Sequence, residues 1–334
     1  MNNPVVTVLG AGSWGRALAE VFSAKDLEVR LWGRNVEALQ HLTFSRKSDK
    51  KLPEVPLRGV RLEADCQRAL EGADWAVVAL PCAAVLELAA VITPILSERT
   101  MVASGTKGLH PESGLRPSEL WSTAGMPLQR FAAFSGPNLA SEILAGVPTS
   151  TVVASLDEDV AHAAQHLFTL PQLRVYRNTD LLGVELGGAL KNVVAIAAGI
   201  CDGLGFGDNA KAALITRGWS EMTRLATALG ARLQTLYGLS GMGDLIATCA
   251  SSSSRNHTMG ELLGQGISLG EAKERIGHVA EGVYTTLAAL RLAELYQIEL
   301  PITMQVKRVL FDGCSAAQAV EQLMSRPERR EIEE

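Results

Sequence analysis

At 334 residues, the chain exceeds the size at which one hydrophobic core stops growing, so two lobes with a cleft between them are expected. Its 47% apolar and 20% charged residues and formal net charge of -5 are an ordinary water-soluble balance that speaks against a nucleic-acid or membrane partner. Cys66, Cys82, Cys201, Cys249 and Cys314 are odd in number and never spaced Cys-x-x-Cys, which suggests neither a disulfide framework nor a zinc site and fits a reducing cytoplasm.

The opening "MNNPVVTVLG" has no basic start followed by a long apolar core, and no later run reaches the roughly 18 residues of a membrane span, so no export or anchoring is expected. "VVTVL" (5–9) reads as a strand. Gly10-Ala11-Gly12-Ser13-Trp14-Gly15 follows it directly and opens the helical run "RALAEVFSA". A G-x-G-x-x-G turn in that context permits a tight bend and close backbone approach, with the helix N-terminus receiving a pyrophosphate. The second strand, "EVRLW" (28–32), ends near Arg34, where an NAD site would carry an acid for the ribose hydroxyls. A guanidinium suits a 2′-phosphate, which favours NADP over NAD; the alternative is an exposed surface arginine. The basic run "SRKSDKK" (45–51) reads as a solvated loop.

Further strands are expected at "AVVAL" (76–80), "TMVAS" (100–104), "FAAFS" (131–135), "STVVAS" (150–155) and "LRVYRN" (173–178), in alternation with helical patterns. This is the signature of a doubly wound, Rossmann-type parallel sheet with helices on both faces. Ligands in such sheets sit beyond the carboxyl ends of strands. "SGTKGL" puts Lys107 there, and "SGPNLASE" puts Gly136, Pro137 and Asn138 at the same edge. For Lys107 a solvated loop position is an equally good reading. His162 and His166 are spaced i, i+4 without the glutamate of a metalloprotease helix, so they read as a helix-face pair and no metal is expected.

From Thr179 onward strand signals vanish, and an all-helical domain is expected to begin near Asp180. The organisation is thus a nucleotide-binding domain at 1–179, a helical substrate-binding domain at 180–325 and a charged tail at 326–334. "VELGGALKNVVAIAAGI" (184–200) is apolar on every face, yet carries Lys191 and Asn192 at its centre. A lysine is rarely buried unless paired or used. Gly187 and Gly188, one turn earlier, could let substrate or nicotinamide approach closely. "GMGDLIATC" offers Asp244, and "SSSSRNHTMG" offers Ser254, Arg255 and Asn256. That trio can grip a small phosphate, or Ser254 can simply cap the next helix.

Taken together, "GAGSWG", "LWGR", "SGTKGL", "SGPNLASE", "ELGGALKNVVAIAAGICDGLGFGDNAKAALITRG", "GLSGMGDLIATC", "SRN" and "VAEGVYT" resemble, in order and spacing, the bacterial NAD(P)-dependent sn-glycerol-3-phosphate dehydrogenases. The similarity spans about residues 5 to 308, and the segment around "GGALKN" is far more specific than the glycine turn. The resemblance implies interconversion of dihydroxyacetone phosphate and sn-glycerol 3-phosphate, feeding phospholipid synthesis, and is compatible with a homodimer. It implies Lys191 as proton donor and acceptor. As substrate contacts it implies Lys107, Gly136, Lys191, Asp244, Ser254, Arg255 and Asn256, joined by Asn192. As cofactor contacts it implies Gly10, Gly12, Ser13, Trp14, Gly15, Arg34, Lys107, Ala140, Arg255, Val279 and Glu281. Two residues depart from the pattern: Arg16 stands in place of a small Thr, and Asn138 in place of a Ser or Thr that contacts substrate.

Reduction of a ketone builds negative charge on its oxygen, which a positioned donor must neutralise. Burial in an apolar helix is expected to lower the Lys191 pKa by about 3 to 5 units. Lys107 polarises the same carbonyl or holds the neighbouring hydroxyl in this scheme, Asn192 and Asp244 orient the substrate and the lysines, and Arg255 with Asn256 holds the phosphate. The alternatives are another two-domain hydroxyacid or ketopantoate-type reductase, and a regulator that senses NADP without turnover.

Overall fold

The structure is a computed structural model that describes residues 4–25, 27–35, 57, 59–328 and 330. Eight strands, β1 (Val5–Leu9), β2 (Glu28–Trp32), β3 (Val60–Glu63), β4 (Trp75–Val78), β5 (Met101–Ser104), β6 (Phe131–Ser135), β7 (Thr149–Ser155) and β8 (Leu173–Asn178), form one sheet. Their order is β3-β2-β1-β4-β5-β6-β7-β8, so the direction of winding reverses between β1 and β4. In doubly wound sheets the crevice at such a reversal is where ligands bind.

Two features depart from the sequence reading. β3 was not anticipated: "VRLE" is short, lies at the sheet edge and is only half-buried, so it lacks the apolar run that marks its neighbours. β7 runs antiparallel to β6, with Phe134 opposite Val153 and Ser135 opposite Val152. Between these strands stands only the five-residue helix Ala140–Leu144. Such a helix advances about 7.5 Å, too little for the crossover that a parallel neighbour requires. The remaining pairings are parallel, and β4 begins at Trp75 and ends at Val78, slightly earlier than its run suggested.

Apolar side chains fill both faces of the sheet. On one face Phe22, Phe134 and Phe168 meet, with Phe134 and Phe168 stacked at 4.5 Å between ring centroids. On the other, Trp121, Phe131 and Met126 pack beneath Leu120 and Ile92. The basic run at 45–51 lies outside the described residues. His162 and His166 are exposed on the helix Glu158–Phe168, whose final turn is held by Lys25 Nζ through the carbonyls of His166 and Leu167.

Beyond β8 the described chain is helical. Asp180 caps the helix Leu181–Gly203 by accepting from Gly183 N at 2.8 Å, and this 23-residue helix is the spine of the region. It is longer than its apolar run suggested, and long and apolar enough by itself to cross a membrane, but it is almost wholly buried inside the protein. Its last turns lie directly on the helix Arg255–Gly264. A Cβ on Gly199 or Gly203 would overlap the carbonyl oxygens of His257 or Glu261. In return, Cβ atoms on Gly260 or Gly264 would crowd the carbonyls of Ile196 and Ile200. The two helices therefore touch main chain to main chain.

Candidate active site

The glycine turn sits at the carboxyl end of β1. Gly10 has φ +120°, a conformation open mainly to glycine, and a Cβ on Gly15 would overlap the Gly10 carbonyl. Those two glycines answer to the protein itself. A Cβ on Gly12 would meet nothing within 4 Å, and Gly12 precedes the helix Ser13–Ser23 without any side-chain cap. A helix N-terminus beside open space fits a pyrophosphate. Ser13 opens that helix, Arg16 is half-buried in its first turn, and Trp14 stacks on Phe134 at 5.5 Å. Arg34 is exposed just beyond β2, with the buried Gly33 before it and Asn35 after it.

The spine helix, which carries Lys191, and the loop after β5, which carries Lys107, bring two lysines to the carboxylate of Asp244 at the start of the helix Asp244–Ala250. Lys191 Nζ donates to Asp244 Oδ1 at 2.7 Å and to Thr248 Oγ1 at 2.6 Å. Lys107 Nζ donates to Asp244 Oδ2 at 2.8 Å and to the Gly136 carbonyl at 2.7 Å. Lys191 is 6% exposed and Asp244 2%. Gly136 can present its carbonyl because it adopts φ +139° at the end of β6. Burial pushes the Lys107 pKa down to about 8, with Asp244 opposing the shift and the nearby Lys191 adding to it. At Lys191 the apolar helix is not the whole environment, because Asp244 supplies a counter-charge.

A second chain of amides braces the pair. Asn192 Nδ2 donates to the Lys107 carbonyl at 3.0 Å, and Asn192 Oδ1 accepts from Asn256 Nδ2 at 2.8 Å. Asn256 Oδ1 in turn accepts from Gly282 N at 2.9 Å. The next residue back, Glu281, accepts from Cys82 N at 3.0 Å, which ties the helix Glu281–Leu295 to the turn after β4. Burial raises the Glu281 pKa to about 7, against the Cys82 N–H and the charge of Arg255.

The two glycines before Lys191 stand differently from the sequence reading. Gly187 and Gly188 face protein: a Cβ on Gly187 would lie 2.8 Å from the Ser240 carbonyl, and one on Gly188 2.6 Å from Ser135 Oγ. The first lets the turn Leu239–Gly243 deliver Asp244 beside Lys191, and the second lets the end of β6 approach Lys107. Asn138 donates through Nδ2 to Thr151 Oγ1 at 3.0 Å, and its Oδ1 is buried without a partner. Ser254 does cap a helix, accepting from His257 N at 3.2 Å, while Arg255 beside it is exposed. Ala140, at the start of its short helix, and Val279 are half-buried.

Three participants went unanticipated: Thr248, the buried and unpaired Ser135 hydroxyl, and the Cys82 N–H. Thr248 lies at i+4 from Asp244 and shares its helix face, a spacing that could have flagged it. The other two carry no local sequence signal.

A glycine turn after β1 and a carboxylate-bridged lysine pair, in a sheet region followed by an all-helical region, define a pyridine-nucleotide-dependent oxidoreductase. The profile for the NAD-dependent glycerol-3-phosphate dehydrogenase N-terminus matches residues 5–161, and that for the C-terminus matches residues 180–321. The chain belongs to the NAD-dependent glycerol-3-phosphate dehydrogenase family. It is 45% identical over 329 residues to the glycerol-3-phosphate dehydrogenase [NAD(P)+] of Moorella thermoacetica, covering 98% of both chains. A solved glycerol-3-phosphate dehydrogenase from Coxiella burnetii superposes with a TM-score of 0.92 at 38% identity, over 97% of this chain and 99% of that one. A ketopantoate reductase from Ralstonia eutropha shares the fold alone, with a TM-score of 0.58 at 14% identity over 96% and 99% of the two chains.

Proposed function

We propose that this chain reduces dihydroxyacetone phosphate to sn-glycerol 3-phosphate, with Lys191 as proton donor to the C2 oxygen. The observation that carries the reading is the bridging of Lys191 and Lys107 by the single carboxylate of Asp244. An ammonium has three N–H donors. Lys191 commits two of them, to Asp244 and Thr248, and Lys107 two, to Asp244 and Gly136, so each keeps one for a ligand. Two ammonium groups on one carboxylate, with Arg255 nearby, also leave the cleft net positive, as a phosphorylated substrate requires.

A bound NAD(P)H supplies the hydride that becomes the new C2–H bond. Lys191 passes a proton to the oxygen as charge develops there, and solvent returns one to the amine. Lys107 holds the same oxygen or its neighbour, and Asp244 and Asn192 fix both lysines. Arg255 and Asn256 bind the phosphate and align the ketone. Gly136, Asn138 and Ser254 complete the substrate contacts. Gly10, Gly12, Ser13, Trp14, Gly15, Ala140, Val279 and Glu281 line the cofactor path, with Lys107 and Arg255 reaching into it.

NADP is the preferred cofactor in this reading, because the exposed Arg34 stands where an acid would select NAD. Residues 1–179 form the nucleotide-binding domain and 180–325 the substrate domain, with a charged tail behind. The enzyme works in the cytoplasm, where its five free thiols stay reduced, as a homodimer that supplies glycerophospholipid synthesis; sedimentation equilibrium tests the assembly. The decisive assay follows oxidation of NADPH and NADH in parallel with dihydroxyacetone phosphate, and with unphosphorylated dihydroxyacetone as control. Turnover of both ketones alike would refute the phosphate grip, and turnover of neither, with cofactor still bound, would refute catalysis.

A further inference from the structure

The loop that follows β5 changes allegiance within a few residues. Up to Thr106 it is bound to the sheet: Gly105 N donates to Val78 O at 2.9 Å, and Thr106 Oγ1 donates to Leu80 O at 2.9 Å. From Lys107 onward its partners are mostly helical. Lys107 Nζ meets Asp244, and its carbonyl accepts from Asn192 Nδ2. A Cβ on Gly108 would lie 2.6 Å from Glu281 Oε2 and 3.1 Å from Cys82 Cβ, so a helical-region carboxylate covers that peptide. Leu109 is fully buried, in the apolar cluster of the helical region with Leu186, Ala189 and Leu190. Finally Arg291, on the helix headed by Glu281, donates through Nη1 to Glu112 O at 2.5 Å and through Nη2 to Pro111 O.

We infer that residues 107–112, although they belong to the sheet region by sequence, are built into the helical region, and that Arg291 is a positioning residue that holds Lys107 at the reacting ketone. The inference rests on the reading of Lys107 as a substrate contact. Its physical basis is that a lysine is a long, flexible side chain whose useful geometry depends on where its backbone is pinned. The backbone here is pinned at one end by Asn192 and at the other by a guanidinium fork on two successive carbonyls. The leucine between them is anchored among helix side chains. Contacts to Gly136 O and Cys82 Cβ also tie this segment to the sheet. The lysine pair is therefore assembled on one body, and a displacement of the sheet region would leave Lys107 beside Lys191 and Asp244.

The test is a double-mutant cycle on the full chain, with Arg291→Ala and Lys107→Ala singly and together, and Arg291→Lys as the conservative variant. Arg291 is exposed, so its removal should leave the fold intact. Loss of the fork should lower kcat for dihydroxyacetone phosphate by about 10-fold, within the up to ~10²-fold that a misplaced group can cost, with the NADPH Kd unchanged and partial recovery in Arg291→Lys. In the Lys107→Ala background the same substitution should change kcat by less than about 2-fold, because the group it positions is gone. An equal loss in both backgrounds, or a wild-type kcat for Arg291→Ala while Lys107→Ala collapses, would overturn the inference alone. Near wild-type turnover by Lys107→Ala would instead overturn the reading of Lys107 and the inference with it.

Discussion

The sheet region and the helical region contribute to the cleft in different currencies. The sheet offers backbone: first-turn N–H groups after Gly12, the Gly136 carbonyl and the Cys82 N–H, all at the carboxyl ends of strands. The helical region offers buried side chains, Lys191, Asn192, Asp244, Thr248 and Asn256, each satisfied by another member of the set. Backbone donors are suited to gripping a cofactor whose shape is fixed. In the proposed reaction the buried charged side chains carry the proton chemistry, since they can change protonation state. The contrast predicts that damage on the helical side should strike chemistry, and damage on the sheet side cofactor affinity.

The strongest way to break that division is Lys191→Ala. Expected is a fall in kcat of about 10²-fold to 10⁴-fold with NADPH affinity nearly intact, measured by single-turnover kinetics and fluorescence titration. Equal losses in both would erase the distinction. On the sheet side, Arg34→Asp should reduce kcat/KM for NADPH by about 10-fold to 150-fold, the value of one charge-assisted contact of roughly 1.5 to 3 kcal/mol. NADH should be used as well as before or better, and the NADPH preference of the native chain should shrink with salt. Equal losses with the two cofactors would reduce Arg34 to a surface residue.

Lys107 straddles the two regions, and its pKa of about 8 sharpens the comparison through pH. In the proposed reaction Lys107 acts in its protonated form, so kcat/KM should be level below pH 8 and fall by about 10-fold per unit well above it. Stability runs the other way. The folded pKa lies below the ordinary lysine value of 10.5, so between about pH 8 and 10.5 the unfolded chain binds more protons and this group makes the fold more stable as pH rises. A pH profile in the Lys107→Met variant that keeps the same alkaline limb would assign that limb elsewhere. The smallest effect belongs to Ser254→Ala. Loss of the cap on His257 N should cost about 1 kcal/mol, or roughly 2 °C in Tm. An unchanged KM for dihydroxyacetone phosphate would leave Ser254 a cap alone, whereas a raised KM would add it to the phosphate grip.

What the sequence makes legible follows the same line. The glycine turn announces itself because strand, turn and helix are contiguous. Lys191 stands out because an ammonium in an apolar run demands an explanation. β3 is hidden because an edge strand needs no apolar run, and the reversal of β7 is hidden because it depends on how far a five-residue helix can reach. The partners of the site are hidden because they lie far apart in the chain: 53 residues separate Lys191 from Asp244, 137 separate Lys107 from Asp244, and 199 separate Cys82 from Glu281. Gly187 and Gly188 show the cost of that gap. A missing side chain beside a candidate site reads as room for a ligand, and here Ser240 and Ser135 occupy the room.

The glycine contact between the spine helix and the helix Arg255–Gly264 acts as a fixed caliper. One jaw carries Lys191, and the other begins at Arg255 and Asn256. Because main chain meets main chain at Gly199, Gly203, Gly260 and Gly264, no rotamer change can open the gap. The span between Lys191 on one jaw and Arg255 and Asn256 on the other is therefore set by main-chain contact. A single methyl group at Gly199 would force the jaws apart and recalibrate the length of substrate the cleft admits, without altering any residue that touches it.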